Sequence, residues 1–542
     1  MKYGRVNRYR WATLGDLNAF FGLTLDNVAN LVLTVSLLKV TFAFPASFAL
    51  YYMIPGTALG VLVGDFLFFL MALRLARRTG RDDVTAMPLG LDTPSTLGMV
   101  FFVLGPAFLA AKNSGMEVEQ AARHAWQIGV CAILVSGLFK LACATCAHWI
   151  RMRIPRAGLL GSLAAIALVL ISFWPLLEIA AAPVVGFVCL AITLGTLTAR
   201  VELPARIPGA LAALIVGSII YYLMLATGTL EHAPLEAAIE PQLELLLPRP
   251  SLEWVASFQE SLQYLPVVIP FALATVIGGI DCTESAIAAG DEYSTGKVVA
   301  VEAVATLFAG LTGGVIQTTP YIGHPAYKAM GGRAAYVLAT GLFIGGAGVF
   351  GYFAHIYQFV PQAAIFPMLI FIGLEITAQS FQATPTRHYP AVAFACLPAM
   401  AYLVTAFTTP LVAQLVTTEK TLEQLVGPLA LQLQTLQLLA NGFVITSLLW
   451  ASLLAAIIDR RLALAAVYTL VAAVASLFGI IHSPAAGGSL VLPWPLAAWP
   501  EGNLLTPYYL AAAYGLTGVL LAAWGAWLPV RQVVLDSQRS NL

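Results

Sequence analysis

The chain has little charge. Of its 542 residues only 10% are Asp, Glu, Lys or Arg, and 27 basic residues balance 27 acidic ones. Soluble proteins carry about 25%. No basic surface is left over for nucleic acid, and no polar stretch is long enough for a soluble domain. There is no P-loop, so ATP hydrolysis is not expected; there is no H-E-x-x-H and no G-x-S-x-G, so no enzyme of those classes is expected either. Cysteine is scarce, and all six (Cys131, Cys143, Cys146, Cys189, Cys282, Cys396) fall in apolar stretches. Cys143 and Cys146 form a C-x-x-C without a second pair to complete a zinc site, and a helix in lipid is a poor redox centre. All six read as small buried apolar residues, and neither a metal nor a cofactor is expected.

Apolar length is abundant instead, with 59% of residues hydrophobic. Stretches long enough to cross a bilayer stand near 15–38, 46–72, 92–110, 126–149, 157–176, 182–199, 207–226, 263–290, 296–313, 319–332, 334–354, 361–380, 389–407, 437–458, 463–482 and 507–529. That predicts sixteen spans, the third and tenth short. With a cytoplasmic N-terminus, twenty-one Lys and Arg residues fall inside and five outside, Lys140 lying within span 4. A wrong count would scramble that sorting, so both termini (1–14 and 530–542) are expected in the cytoplasm of a multi-pass inner or plasma-membrane protein. Residues 227–262 and 408–436 are the two long connections, each with room for a surface helix at most.

Four stretches break the apolar pattern. Span 1 places Asp26 and Asn30 on one helical face with Asn27 beside them. Span 3 is reached through "VTAMPLGLDTPSTLG", span 8 carries "IDCTES", and span 10 is reached through "GGVIQTTPYIGHPAYKAMGG". Spans 8 and 10 follow spans 1 and 3 by seven, and a seven-span unit repeated in tandem must be inverted. "VTAMPLG" and "GGVIQ" are too rich in Gly, Pro and β-branched residues for helix interiors, so each reads as a short strand. A helix start follows each: Asp92 or Thr93 as cap with Pro94 behind it, and Thr319 as cap with Pro320 behind it. The expected fold is therefore an all-α polytopic, seven-plus-seven inverted-repeat transporter with two half-helices preceded by short strands, plus about two extra C-terminal spans.

Asp281 and Glu284 stand three apart on one face of span 8, where a carboxylate can accept N–H donors from a flat ligand or bind H⁺ or Na⁺. The expected pocket is lined by Asp281, Glu284, Asp92, Thr93, Thr319, Tyr321 and His324, with Asp281 and Glu284 coupling transport to a proton or Na⁺. For Asp16, Asp26, Asn27, Asn30 and Glu302 a structural role, bonding helix ends across the bundle, is expected.

On these residues the chain resembles the nucleobase–ascorbate transporters, and within them the hypoxanthine, adenine and guanine permeases. "IDCTES" has the spacing of that branch's acid-x-x-acid motif, and "VEAVATLFAGLTGGVIQTTPYIG", with Glu302 as its leading carboxylate, resembles the family's segment across spans 9 and 10. The departure is Gly323–His324 where relatives carry a second glutamate, alongside an extra acid at Asp92. The resemblance implies a core of spans 1–4 and 8–11 (15–149, 263–354) and a gate of spans 5–7 and 12–14 (157–226, 361–458), with 463–529 outside that plan. It implies proton-coupled uptake of a nucleobase-like heterocycle, a homodimer being a candidate assembly. The alternative on the same fold is a sulfate-like anion transporter; a membrane enzyme or receptor is a remote one.

Overall fold

The computed structural model describes residues 9–153, 155–204, 207–229, 245–246, 253–321, 323–415, 428–484 and 507–527. Most of the connection 227–262, part of the connection 408–436, residues 1–8 and the C-terminal tail lie outside them.

The chain is almost wholly helical. In order come α1 (Gly15–Phe42), α2 (Ala46–Thr79), β1 (Leu89–Leu91), α3 (Thr93–Asn113), α4 (Val118–Arg153), α5 (Arg156–Ala181), α6 (Pro183–Thr198) and α7 (Gly209–Ala226). After them come α8 (Leu265–Ala288), α9 (Thr295–Leu311), β2 (Thr318–Pro320), α10 (His324–Ala329), α11 (Ala335–Val349), α12 (Phe353–Phe359), α13 (Gln362–Gln382) and α14 (Tyr389–Leu415). The series closes with α15 (Pro428–Ala440), α16 (Phe443–Ile458), α17 (Leu462–Leu477) and α18 (Pro507–Trp527).

Every expected span coincides with helix, the tenth only after opening in β2, but fewer are long enough to cross. Among the described residues ten helices qualify, or twelve if the bent pairs α11–α12 (93°) and α15–α16 (80°) are each one span. Four of the sixteen expected spans fall below that length: α6, α9 and α17 are shorter helices, and span 10 contributes a helix of only six residues.

Two compact units divide the chain. The first comprises residues 1–151 and 171–372, the second 152–170 and 373–542. In the first, α2 packs through small residues. Beta-carbons built at Gly60 and Gly64 would collide with Ala309 and Ala305 of α9, and those at Gly341 and Gly345 of α11 would press on Asp65 and Leu62. Helices in lipid gain no hydrophobic drive from contact with each other, so close backbone approach and dispersion must hold them. The second unit is knit by alanines (Ala157, Ala164, Ala391, Ala395, Ala451, Ala455) and by His482, whose Nε2 lies 2.8 Å from the Tyr514 hydroxyl. The five cysteines whose side chains are described are buried and free of disulfides.

The two strands meet inside the first unit. β1 and β2 run antiparallel with Leu89 opposite Pro320, Gly90 opposite Thr319 and Leu91 opposite Thr318. The ladder continues at both ends, where Tyr321 N donates to Pro88 O (2.8 Å) and Asp92 N donates to Gln317 O (2.9 Å).

Candidate functional site

A two-stranded sheet inside a membrane has two outer edges, and every edge amide there needs a protein partner. The bonded ladder uses residues 88, 90 and 92 of one strand, so the N–H groups of Leu89 and Leu91 point outward. Asp65 Oδ1 of α2 takes the first at 3.3 Å and Asn27 Oδ1 of α1 takes the second at 3.1 Å. Asn27 is itself fixed by donating to Leu23 O (3.0 Å), and Asn30 donates to Asp26 O (3.2 Å) and Oδ1 (3.3 Å). A side chain at Gly90 would press on Asp26 Oδ2, so glycine lets α1 approach the strand.

The β2 edge is met by other helices. Thr318 N donates to Thr306 Oγ1 of α9 (3.3 Å), and Thr318 O accepts Lys140 Nζ of α4 (2.9 Å). Lys140 also pairs with Glu302 Oε1 at 2.8 Å, both side chains being fully buried. Pro320 O accepts the Cys282 thiol of α8 at 3.3 Å. Pro320 has no amide to place, which suits a residue whose N–H would face that outer edge.

From each strand the chain turns into a helix, but not in the same way. Asp92 Oδ2 accepts Ser95 N at 2.8 Å, so Asp92 is the N-cap of α3, with Pro94 in the first turn and Thr93 buried. Thr319 is not a cap. It lies within β2, and α10 begins five residues later at His324, with Gly323 before it and Pro325 in its first turn. The expected cap is corrected: Thr319 and Pro320 extend the ladder because Gly90 and Leu89 stand opposite them. Tyr321 is half-buried and its ring stacks on Tyr327 at 5.9 Å.

His324 is buried at the start of α10, away from the β2 edge. Its Nε2 lies 3.2 Å from Thr85 O and 3.3 Å from Asp291 Oδ2. Asp291, between α8 and α9, also meets Lys328 Nζ at 2.7 Å, Arg81 at 3.2 Å and the Thr85 amide at 3.1 Å. Burial pushes the Asp291 carboxyl up, but bonds from His324, Lys328 and the Thr85 amide outweigh it and hold it below the usual range. Asp16 accepts the amides of Arg333 (2.9 Å) and Tyr336 (3.1 Å), fixing the turn after α10 to the start of α1.

Asp281 and Glu284 belong to α8 by backbone, but their side chains lie outside the described residues. Their helix is placed against the sheet: a β-carbon at Gly279 would meet Glu302 Oε2 at 2.6 Å and Pro320 Cδ at 3.7 Å. The sequence reading missed Lys140, Asp65 and Thr306. A signal existed for the first, since a lysine in one apolar span and a glutamate in another imply each other as partners.

Two broken spans crossing at a paired strand, one from each half of the chain, define the class: a multi-pass membrane protein of the seven-plus-seven inverted-repeat transporter fold. No family model and no curated protein matches the chain. Among solved structures it is similar to the transmembrane domain of a cyanobacterium bicarbonate transporter, BicA, with 16% identity, a TM-score of 0.45, and coverage of 74% of this chain and 97% of that one. It is similar to SLC26A9 with 10% identity and a TM-score of 0.47, covering 73% of this chain and 62% of that one. The murine Slc26a9 anion transporter in its inward-facing state matches with 10% identity and a TM-score of 0.38, covering 75% of this chain and 69% of that one. At such identities the likeness concerns architecture. The expected kinship with nucleobase–ascorbate transporters and purine permeases is corrected by these matches, which are bicarbonate and anion transporters. Acid-x-x-acid spacing requires only that two carboxylates share a helix face.

Proposed function

We propose that the chain is a secondary transporter that carries a small anion by alternating access at the β1–β2 crossing. The observation that carries this reading is Lys140. A fully buried ammonium at the strand edge, bonded to Thr318 O and balanced by Glu302, places a cation where two broken spans meet. Intramembrane lysines are expensive and mark ion or substrate pathways. The Thr93 hydroxyl in the first turn of α3 is a neutral donor of the kind an oxyanion uses, those of Ser95 and Thr96 being spent on Asp92 O.

The test is uptake into proteoliposomes holding the purified full chain. Labelled sulfate and bicarbonate are expected to enter and labelled hypoxanthine and uracil are not; Lys140→Gln should abolish entry per folded transporter reconstituted. Uptake of a nucleobase without either anion would reject the reading in favour of a heterocycle held by carboxylates.

A further inference from the structure

The β1 edge contains a carboxylate with no positive partner. Asp65, on α2, is fully buried. Its Oδ1 accepts the Leu89 amide at 3.3 Å, and its Oδ2 has no hydrogen-bond partner among the described residues. No ion pair among the described residues includes it. What surrounds it is largely hydrocarbon and backbone. The Leu89 side chain and Ala305 of α9 close on Gly64 beside it, and a β-carbon at Gly341 of α11 would lie 2.9 Å from Asp65 Cβ and 3.4 Å from Oδ2.

Few titratable groups face this point. From α11 comes Tyr336, whose hydroxyl donates to Ala86 O at 2.7 Å. From α10 comes Tyr327, its ring 5.2 Å from that of Tyr336, and from α1 comes Asp26, bonded to Asn30. α9 offers alanines here, its Glu302 being paired with Lys140. A carboxylate ionised and alone in such surroundings is not sustainable; it must be neutralised. A metal ion would need a shell of oxygens. The neighbours supply an amide N–H and methyl groups instead, which leaves a proton.

We propose that Asp65 is the proton-carrying carboxylate of this transporter. It holds a proton while the β1 edge is sealed as it is here, and releases it when alternating access wets that edge. The Leu89 bond ties it to a strand whose far end, three residues on, is the Asp92 cap, so the proton and the crossing site share one rigid element. This puts coupling on α2 rather than on Asp281 and Glu284 of α8. It rests on the transport reading above, but it can fail separately.

Two measurements test it on the full chain in liposomes. In infrared difference spectra, wild type should show the carbonyl stretch of a buried protonated acid that disappears as pH rises and is missing from Asp65→Asn. In sulfate transport, Asp65→Asn should keep counterflow without a pH gradient but lose gradient-driven accumulation. One proton per sulfate moves net charge, so with the membrane potential clamped at zero a one-to-one symporter accumulates sulfate about tenfold for each pH unit, and an uncoupled variant reaches a ratio of about one. Gradient-driven accumulation equal to wild type in Asp65→Asn overturns the proposal. If wild type carries no sulfate, the cargo reading fails and the infrared measurement decides: a titrating band supports Asp65, and an absent or pH-independent one overturns it. If Asp65→Asn does not fold, Asp65→Ser, which still offers Leu89 an acceptor, takes its place in both.

Discussion

The two broken spans share a sequence grammar of strand, proline and helix start, yet they are secured by different means. α3 carries its own cap: Asp92 folds back on Ser95 N, and the helix then runs on to Asn113. α10 has no side-chain cap and ends after six residues. What secures it is borrowed: His324 at its start and Lys328 in its last turn both converge on Asp291 from the α8–α9 connection. The strands differ in the same sense. The outer edge of β1 is met by uncharged amide chemistry from Asn27 and one carboxylate oxygen of Asp65, whereas that of β2 leans on the buried Lys140–Glu302 pair. A locally encoded half-helix stands opposite one that exists only because distant residues hold it.

The comparison is most sharply broken at Lys140. Its replacement by Met leaves Glu302 buried without its cation and Thr318 O without its donor. Breaking a buried pair on one side costs about 3–5 kcal/mol. Thermal melting of the solubilised protein should show that loss, and Glu302→Gln alone should likewise lower the amount of folded protein. Lys140→Met combined with Glu302→Gln should recover much of it, because no uncompensated charge remains. A Lys140→Met protein as stable as wild type would mean that β2 does not depend on the pair.

Asp291 is the next lever, and it acts on α10 and on the segment after α2 that holds Arg81 and Thr85. Asp291→Asn removes the charge on which His324, Lys328 and Arg81 converge. Lys328 and Arg81 remain partly exposed and can rehydrate, so the expected cost is moderate, about 1–3 kcal/mol. pH gives an independent check. The folded Asp291 carboxyl lies below its usual value, so its stabilisation is complete above the unfolded pKa of about 3.9 and is lost as pH falls through the lower folded value. Melting curves should show a steeper loss of stability in that acid range for wild type than for Asp291→Asn. Equal slopes would remove Asp291 from the account.

How much of this was legible depended on the range of the forces involved. Span positions follow from local composition, and each expected span but the tenth, which opens in β2, is found as helix. The α3 start was legible too, because an Asp cap and a proline act within four residues. Thr319–Pro320 offers the same local signal and was misread, because whether a Thr–Pro pair caps a helix or continues a strand was decided by residues 88–92, more than two hundred positions away. Lys140 was seen only as a charge inside a span that could not be counted toward topology. Its role appears when α4, α9 and β2 are brought together. Asp65 gave no motif at all; only the strand edge beside it makes it conspicuous.

The smallest expected effects set the two helix starts directly side by side. Asp92→Ala removes a side-chain acceptor from the first turn of α3 and should cost about 1 kcal/mol, the usual loss for an N-cap. Asp92→Asn, which keeps an acceptor oxygen, should recover most of that. Thr319→Ala should cost no more than about 0.5 kcal/mol, the range for substitutions that touch no special feature. Thr319 sits in β2, where its backbone makes the ladder and its side chain caps nothing. Paired melting measurements of the single variants decide the matter. If Thr319→Ala proved as costly as Asp92→Ala, α10 would have to begin at Thr319 in the working protein, and the second broken span would then be built like the first.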